Sequence, residues 1–266
     1  MQGKVAVVTG GSGVLCSQMS KALAARGVKV AVLGRSPEKT QAVVDEIIKT
    51  GGQAIPILAD VLNRDALEAA NETVLSTWGQ IDILVNGAGG NVPGGVVAPS
   101  ESFFVDHRIE HFQEVLNINL HGSVLPSMVF GRSMAQQKSG VIINISSMTA
   151  TRAITRVAGY AAAKAAIEAF TRWLAVETAL KLGANIRVNA IAPGFFITEQ
   201  NRSLLTNPDG SYTERGNAVI RNTPMGRFGS PDELAGACIW LCSDASRFVT
   251  GAVIPVDGGF SSWSGG

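Results

Sequence analysis

Ser147, Tyr160 and Lys164 are the residues of this chain whose types and spacing are best suited to chemistry. Tyr160 and Lys164 stand four apart in Gly159-Tyr160-Ala161-Ala162-Ala163-Lys164-Ala165-Ala166, a run rich in alanine, the strongest helix former. On a helix, positions i and i+4 share a face with Cβ atoms about 5–6 Å apart. The phenol and the ammonium are therefore expected side by side, with only small alanines between them. Ser147 lies thirteen residues upstream, just beyond Val141-Ile142-Ile143-Asn144-Ile145, an apolar run that reads as a buried strand. A hydroxyl at a strand's C-terminal end, facing such a helix, suits the movement of a proton on or off an alcohol. Bringing a tyrosine from its usual pKa of about 10 to about 7 takes roughly 4 kcal/mol. One ammonium at about 4 Å supplies about that much at an effective dielectric of about 20. Lys164 is thus expected to make Tyr160 an acid or base near neutral pH. Tyr–Lys pairs at this spacing also arise by chance, so the assignment needs a cofactor site elsewhere in the chain.

The elements that must position these groups follow from hydrophobic patterning. Strands are predicted at Val5–Thr9, Val28–Leu33, Ala54–Leu58, Ile81–Val85, Val141–Ile145, Ile186–Ala190 and Val253–Val256. Helices are predicted between them, including Leu15–Arg26, Pro37–Thr50, Arg64–Trp78, Ile109–Gln136 and Val157–Leu182. Strands that are apolar throughout, rather than alternating, indicate a parallel sheet covered on both faces. Repeated strand–helix units with right-handed crossovers give a doubly wound α/β fold of seven parallel strands. No linker, repeat or low-complexity stretch interrupts the 266 residues, so a single domain over 1–266 is expected. Two segments break the rhythm. Gly89–Asp106 is a loop rich in Gly, Pro and Val, and Pro193–Arg227 carries the turn signal Asn207-Pro208-Asp209-Gly210. Both follow strand C-termini, the edge where open α/β sheets bind ligands, and are expected to form substrate walls and a lid.

Composition narrows the partners. With 46% apolar and 16% charged residues, the chain has ample material for a core. A net charge of +1 provides no electrostatic case for nucleic acid or an anionic membrane. No apolar run approaches the ~18 residues of a membrane span. The start, Met1-Gln2-Gly3-Lys4, leads straight into a strand without signal-peptide architecture. Cys16, Cys238 and Cys242 match neither a disulfide framework nor a metal site, and a reducing, cytoplasmic compartment is expected.

A cofactor site is legible at the first strand. It runs into Thr9-Gly10-Gly11-Ser12-Gly13-Val14-Leu15-Cys16, and a helix follows. Such a turn lets backbone approach a pyrophosphate at the helix N-terminus, where free N–H groups and the dipole favour anions. With this turn in place, the chain resembles the short-chain dehydrogenase/reductase family along essentially its whole length. The resemblance rests on Thr9-Gly10 with its glycine turn, Asp60-Val61, Asn86-Gly87-Ala88-Gly89, Asn119, Ser147, Tyr160 with Lys164, Asn189, Pro193-Gly194 and Thr198.

That resemblance implies a Rossmann fold, an NAD(P)-dependent oxidoreductase, and a set of roles. Ser147, Tyr160, Lys164 and Asn119 would be catalytic, with Asn119 supporting a water chain from Lys164. Gly10, Ser12, Gly13, Val14 and Leu15 would hold the pyrophosphate. Asp60 and Val61 would contact adenine, and Asn86, Ala88 and Gly89 would line the cofactor cleft. Tyr160 and Lys164 would also reach the nicotinamide ribose, and Pro193, Gly194, Ile197 and Thr198 the carboxamide end. Two positions depart from the family pattern. Cys16 replaces the last glycine of the first turn and is expected to narrow the pyrophosphate site. Gly87 replaces the usual second Asn of the strand-four motif.

Strand two ends Val32-Leu33-Gly34-Arg35-Ser36. NAD-preferring sites usually place a carboxylate there for the ribose hydroxyls. Gly34 stands in that place, with Arg35 next to it, which favours NADP(H) with NAD(H) as the alternative. His107-Arg108-Ile109-Glu110-His111 matches the H-x-x-E-H pattern of some zinc peptidases, and its histidines would share a helix face. No third ligand accompanies it, so the stretch reads as an ordinary helix and no metal is expected. Arg152, Arg156 and Arg202 lie where a carboxylate-bearing substrate would need a partner. Asn91 and Asn201 are further substrate candidates.

The implied reaction moves hydride between the nicotinamide C4 and a secondary carbinol carbon, with Tyr160 as acid or base, Ser147 on the oxygen and Lys164 tuning the phenol. The loop Asn91–Gly95 and the run Ala192–Arg202 are similar to those of a family subgroup of D-mannonate oxidoreductases (fructuronate reductases). Leu205–Arg215 and Pro255–Phe260 fit it as well. A polar lid with Glu199, Gln200, Asn201 and Arg202 suits a polyhydroxylated acid. Gluconate-type dehydrogenases and 3-oxoacyl carrier-protein reductases are the alternative activities, and a nicotinamide-binding protein without turnover is the non-enzymatic one. Family members are commonly tetramers, and Phe248–Ser264 resembles an interface segment.

Overall fold

The computed structural model describes residues 1–199 and 201–264. Among them, seven strands form one parallel sheet in the order β3-β2-β1-β4-β5-β6-β7. In chain order the elements are β1 (Val5–Thr9), α1 (Val14–Ala24), β2 (Lys29–Gly34), α2 (Pro37–Lys49), β3 (Gln53–Leu58), α3 (Arg64–Trp78) and β4 (Ile83–Asn86). They continue with α4 (Ile109–Leu116), α5 (Gly122–Gln137), β5 (Gly140–Ile145), α6 (Ala158–Leu182), β6 (Ile186–Pro193), α7 (Arg202–Leu205), α8 (Glu214–Arg221), α9 (Glu233–Cys242) and β7 (Val253–Val256).

Apolar residues at successive positions of β1 explain why helices cover both faces. Ala6 and Val8 pack on one side with Met19 and Leu23 of α1, Val43 and Ile47 of α2, and Leu234 and Leu241 of α9. Val5 and Val7 pack on the other with Leu67 and Val74 of α3 and Phe130 and Met134 of α5. A strand with no polar face has nowhere to meet water, so the sheet centre is sandwiched. Pro56, which cannot donate to a ladder, sits on the edge strand β3, where that loss is tolerated.

Two elements differ from expectation. Strand β6 runs three residues past Ala190, pairing Ala192 and Pro193 with Pro255 and Val256, which carries Pro193 to the sheet's ligand-binding edge. The helix expected over Ile109–Gln136 is broken by a π-helical turn at Asn117–His121. The Asn119 side chain donates to the Val115 carbonyl at 2.8 Å, and Pro126 lies inside α5, where it cannot donate to the preceding turn. Such single-turn π segments are frequent at functional sites. Chain order reverses between β1 and β4, so the crevice opens beyond Thr9 and Asn86, which are register partners.

Candidate active site

The extended backbone at Ser147 (φ −164°) follows directly from β5, and its hydroxyl accepts the N–H of Thr149 at 3.2 Å. On α6, Gly159 packs against α4, where a Cβ would come within 3.3 Å of Phe112 and Val115. That close approach seats the first turn of α6, and Tyr160 with it, over the end of β5. Lys164 is buried at 4% exposure. Its Nζ donates to the Ile145 carbonyl at 2.7 Å and lies 5.3 Å from the centre of the Tyr160 ring. Ser146 ties the same helix down by donating to the buried Glu168 at 3.0 Å, and Arg172 neutralises that carboxylate, also at 3.0 Å.

The electrostatics correct one expectation. In this cleft the Tyr160 phenol lies above its ordinary value, because desolvation penalises the phenolate more than the Ser147 hydroxyl favours it. The same desolvation brings Lys164 down to about 8. Burial thus acts against both charges, and the ammonium, occupied with the Ile145 carbonyl, does not offset it at the phenol. In the protein alone Tyr160 is a proton donor.

At the other end of the crevice the glycine turn is sterically required. Gly10 has φ +62°, and a Cβ there would meet the Ala88 backbone nitrogen at 2.8 Å. Thr9 Oγ1 accepts the N–H groups of Gly87 at 3.1 Å and Ala88 at 3.2 Å, stitching β1 to the loop after β4. Gly13 begins α1 without any side-chain cap, so the helix's first N–H groups face the crevice free of one. These features fit a bound pyrophosphate. The two departures from the family pattern prove to be one exchange. A Cβ on Gly87 would lie 2.1 Å from Cys16 Sγ, so the thiol fills the space a residue-87 side chain would need. Burial, with Cys238 beside it, pushes Cys16 up to about 12, so it is a thiol at neutral pH.

Gly34 likewise has no room for a carboxylate, since its Cβ would meet Thr40 Oγ1 at 2.7 Å and Ser12 Oγ at 2.8 Å. Thr40 Oγ1 is buried there without a hydrogen-bond partner among the described residues. Arg35 is exposed and 3.8 Å from Asp60. Lys39 was not singled out from sequence, yet it lines this end of the cleft and pairs at 2.8 Å with Glu199 in the segment after β6. The signal was present: Ser36 caps α2 and Pro37 opens it, which places Lys39 one turn from Arg35.

A single cleft of about 970 Å³ joins the two ends. The glycine turn from Gly10 to Leu15, Arg35, Val61, Ala88 and Gly89 line its nucleotide side. Asn91, Ser147, Arg156, Tyr160, Lys164, Pro193, Gly194, Thr198 and Asn201 line the remainder. Six predicted residues do not border it. Asn86 is buried behind the wall, donating to Ser127 and Asn144 at 2.8 Å. Asn119 is also buried, and its side chain clamps Gly90 by donating to its carbonyl at 2.7 Å and accepting its N–H at 3.0 Å. Asp60 turns to the Leu62 N–H at 2.9 Å. Ile197 packs with Leu205 and Phe228. Arg152 donates to the Ser261 carbonyl, and Arg202 is exposed on α7. Asn201, though in the cleft, spends its amide bracing the turn before α7, accepting from Thr198 N–H at 2.7 Å and donating to the Phe196 carbonyl at 2.8 Å.

Thr149 and Arg215, like Lys39, were not among the site residues expected from sequence. Both border the cleft, and the buried Thr149 hydroxyl has no partner among the described residues. The two histidines of the H-x-x-E-H stretch do not share a helix face. His107 precedes α4 and stacks on Phe103 at 5.3 Å, while His111 lies against Gly94. Among the described residues, no three metal-ligating side chains gather.

Residues 13–261 match the family described as enoyl-(acyl carrier protein) reductase. An uncharacterized oxidoreductase of Bacillus subtilis, UxuB, is 49% identical over 275 aligned positions, spanning 100% of this chain and 97% of the relative. The structure is similar to a candidate D-mannonate oxidoreductase from Haemophilus influenzae with bound NAD, at a TM-score of 0.92 and 40% identity, over 100% of this chain and 98% of that one. It is also similar to a gluconate 5-dehydrogenase from Burkholderia cenocepacia in complex with NADP and tartrate, at a TM-score of 0.85 and 31% identity, over 99% and 97% of the two chains. With its parallel sheet, glycine turn and Ser–Tyr–Lys cleft, the chain belongs to the short-chain dehydrogenase/reductase family of oxidoreductases.

Proposed function

We propose that this chain interconverts the ketone and secondary alcohol of a sugar acid of the fructuronate/mannonate type, using NADP(H) in preference to NAD(H). The observation that carries this reading is the meeting of Ser147, Tyr160 and Lys164 at one end of a cleft whose other end is the glycine turn with Arg35 and Lys39. The bound nicotinamide supplies or accepts the hydride at its C4. The chain's own residues do the rest. Tyr160, held protonated by desolvation, gives its proton to the carbonyl oxygen in reduction and takes it back in oxidation. Ser147 hydrogen-bonds the same oxygen and stabilises the charge that develops on it. Lys164, fixed by the Ile145 carbonyl, keeps a cation 5.3 Å from the centre of the Tyr160 ring; it does not overcome the desolvation that holds the phenol protonated, but it attracts the negative charge as the proton leaves. Asn119 keeps the cleft wall in place through Gly90.

A carboxylate-bearing substrate is supported by Arg156 and Arg215, which border the cleft without an ion-pair partner among the described residues, and by the similarity to a candidate D-mannonate oxidoreductase and a gluconate 5-dehydrogenase. NADP(H) is supported by the absence of room for a carboxylate at Gly34 and by the two cations beside it. We also propose a homotetramer, because Trp173, Val176 and Leu180 on α6 and the fully exposed Phe248 leave apolar surface for a second copy. Light scattering on the eluting peak tests that state, and a mass other than that of four chains would refute it. No helix among the described residues is long and apolar enough to cross a membrane.

The test is a screen of D-fructuronate, D-tagaturonate, 5-ketogluconate and a 3-oxoacyl thioester with NADPH and NADH, following the absorbance of the reduced cofactor. Turnover of a sugar keto acid, with the larger kcat/KM for NADPH, is the expected result. Activity confined to the thioester would overturn the sugar-acid reading.

A further inference from the structure

Arg156 and Arg215 are 59 residues apart in the chain, yet they border the same cleft as Tyr160 and Lys164. They also border an adjoining cavity of about 750 Å³, so they stand in the wall between the two spaces. Neither forms an ion pair among the described residues, although nine other ion pairs occur. The carboxylates that line the adjoining cavity, Glu101 and Glu214, do not pair with them, and Glu101 is engaged with the Ala98 N–H.

Arg156 is held in an unusual conformation. Its φ is +81°, a region that a bulky residue occupies only where its surroundings enforce it, most often at functional sites. Val97 is the enforcing residue. The Val97 N–H donates to the Arg156 carbonyl at 2.9 Å, and Arg156 Nε donates back to the Val97 carbonyl at 2.8 Å. This arrangement fixes the stem of the guanidinium while its two terminal nitrogens keep no partner among the described residues. Arg215 approaches from α8, the helix that follows the lid turn, and is half-buried. Burial, and then the neighbouring Arg156 charge, lower its pKa from the usual arginine value. Two guanidiniums that repel each other in a partly dry wall have an electrostatic vacancy for one anion, and their planar forks match a carboxylate.

We propose that Arg156 and Arg215 together form the carboxylate-binding end of the substrate site. The assignment rests on the sugar-acid reading above and adds to it a defined clamp. Arg156 is preset by Val97 on the loop after β4, whereas Arg215 is delivered by the segment that covers the cleft. The acid group is then what links substrate binding to placement of the lid. The Thr149 hydroxyl, without a partner among the described residues and two residues from Ser147 in the same cleft, offers a hydrogen bond to a hydroxyl of the same substrate.

The experiment compares wild type, Arg215→Gln and Arg215→Lys. The substrate is whichever of D-fructuronate, D-tagaturonate or 5-ketogluconate wild type reduces fastest, assayed beside its neutral carboxamide. Thermal melting and NADPH fluorescence titration establish that each variant folds and binds cofactor. Removing one charge-assisted fork should raise KM for the acid about ten-fold or more in Arg215→Gln, with kcat much less affected. Arg215→Lys should recover part of that loss. Wild type should prefer the acid to the amide, and Arg215→Gln should lose most of that preference. An unchanged KM for the acid, or an equal rise for acid and amide, would overturn the clamp while leaving the sugar-acid reading standing. Wild type that reduces none of the three acids would overturn both.

Discussion

The Cys16–Gly87 exchange makes a quantitative prediction. Gly87 does not occupy the left-handed region, so alanine there meets no backbone strain, and its hardest clash is with the thiol. In Gly87→Ala the new Cβ would lie 2.1 Å from Cys16 Sγ, far inside the about 3.5–4.0 Å of an unstrained nonbonded contact. Cys16 is 4% exposed, so its sulfur must turn into packed core or the β4 loop must shift. Overpacking of this kind costs about 1–3 kcal/mol. For a chain of this size that corresponds to a fall in Tm of roughly 2–10 °C. Cys16→Ala removes only the sulfur, and the next neighbours of the added Cβ are then Thr9 O at 3.0 Å and Cys16 Cβ at 3.5 Å, a fit that needs a shift of a few tenths of an ångström. The double variant Cys16→Ala/Gly87→Ala should therefore be more stable than the two single losses would sum to, with a coupling of about 1 kcal/mol or more. Urea denaturation of the four proteins, with equal m-values, reads that coupling directly. Additive losses would show that the thiol and the glycine are independent, and the exchange would be refuted.

Other outcomes follow from the same geometry. Tyr160→Phe should lower kcat by at least about 100-fold while NADPH fluorescence titration gives a near-unchanged Kd, and near-wild-type turnover would remove Tyr160 from the proton path. Lys164 is held at about 8, and both its charge and the Tyr160 proton serve reduction. The reductive kcat/KM should accordingly be highest below about pH 8 and fall as the pH rises through it, and a profile flat from about pH 7 to about pH 9 would contradict that role. Linkage has a definite sign here. The folded pKa of Lys164 lies below its unfolded value of 10.5, so the unfolded chain binds the extra proton between them. Lys164→Met should thus relieve a destabilisation that is fully present below about pH 8 and vanishes towards about pH 10.5, which urea titrations at several pH values would reveal. Arg35→Ala combined with Lys39→Ala should lower the NADPH/NADH ratio of kcat/KM about ten-fold or more, and an unchanged ratio would take the 2′-phosphate away from these cations.

Much of the site was legible because its determinants are local. The i, i+4 spacing of Tyr160 and Lys164, the glycine turn after β1 and the apolar strands each depend on neighbours within a few residues, and all three stand as read. Boundaries moved where side chains from elsewhere intervened. Asn119 and Pro126 convert the middle of one predicted helix into a π turn, and pairing with β7 extends β6 to Pro193. Asn86 and Asn119 sit at the expected strand end and helix but serve the wall rather than its surface, since burial directs their amides to Asn144 and Gly90. Of the three arginines considered, only Arg156 reaches the cleft, because Ser261 captures Arg152 and α7 turns Arg202 to solvent.

Along the chain alone, residue type and period determined the sheet, its two covered faces, the crevice at the strand ends and the side-by-side placing of Tyr160 and Lys164. Those properties follow from hydrogen-bond geometry and side-chain periodicity, which repeat every few residues. Only the tertiary structure decided which distant groups come together: Cys16 against Gly87, Lys39 paired with Glu199, Arg156 and Arg215 in the wall of one cleft. It also decided the direction of the Tyr160 shift. A charge's energy depends on how much water the whole fold removes around it, and no local spacing encodes that quantity.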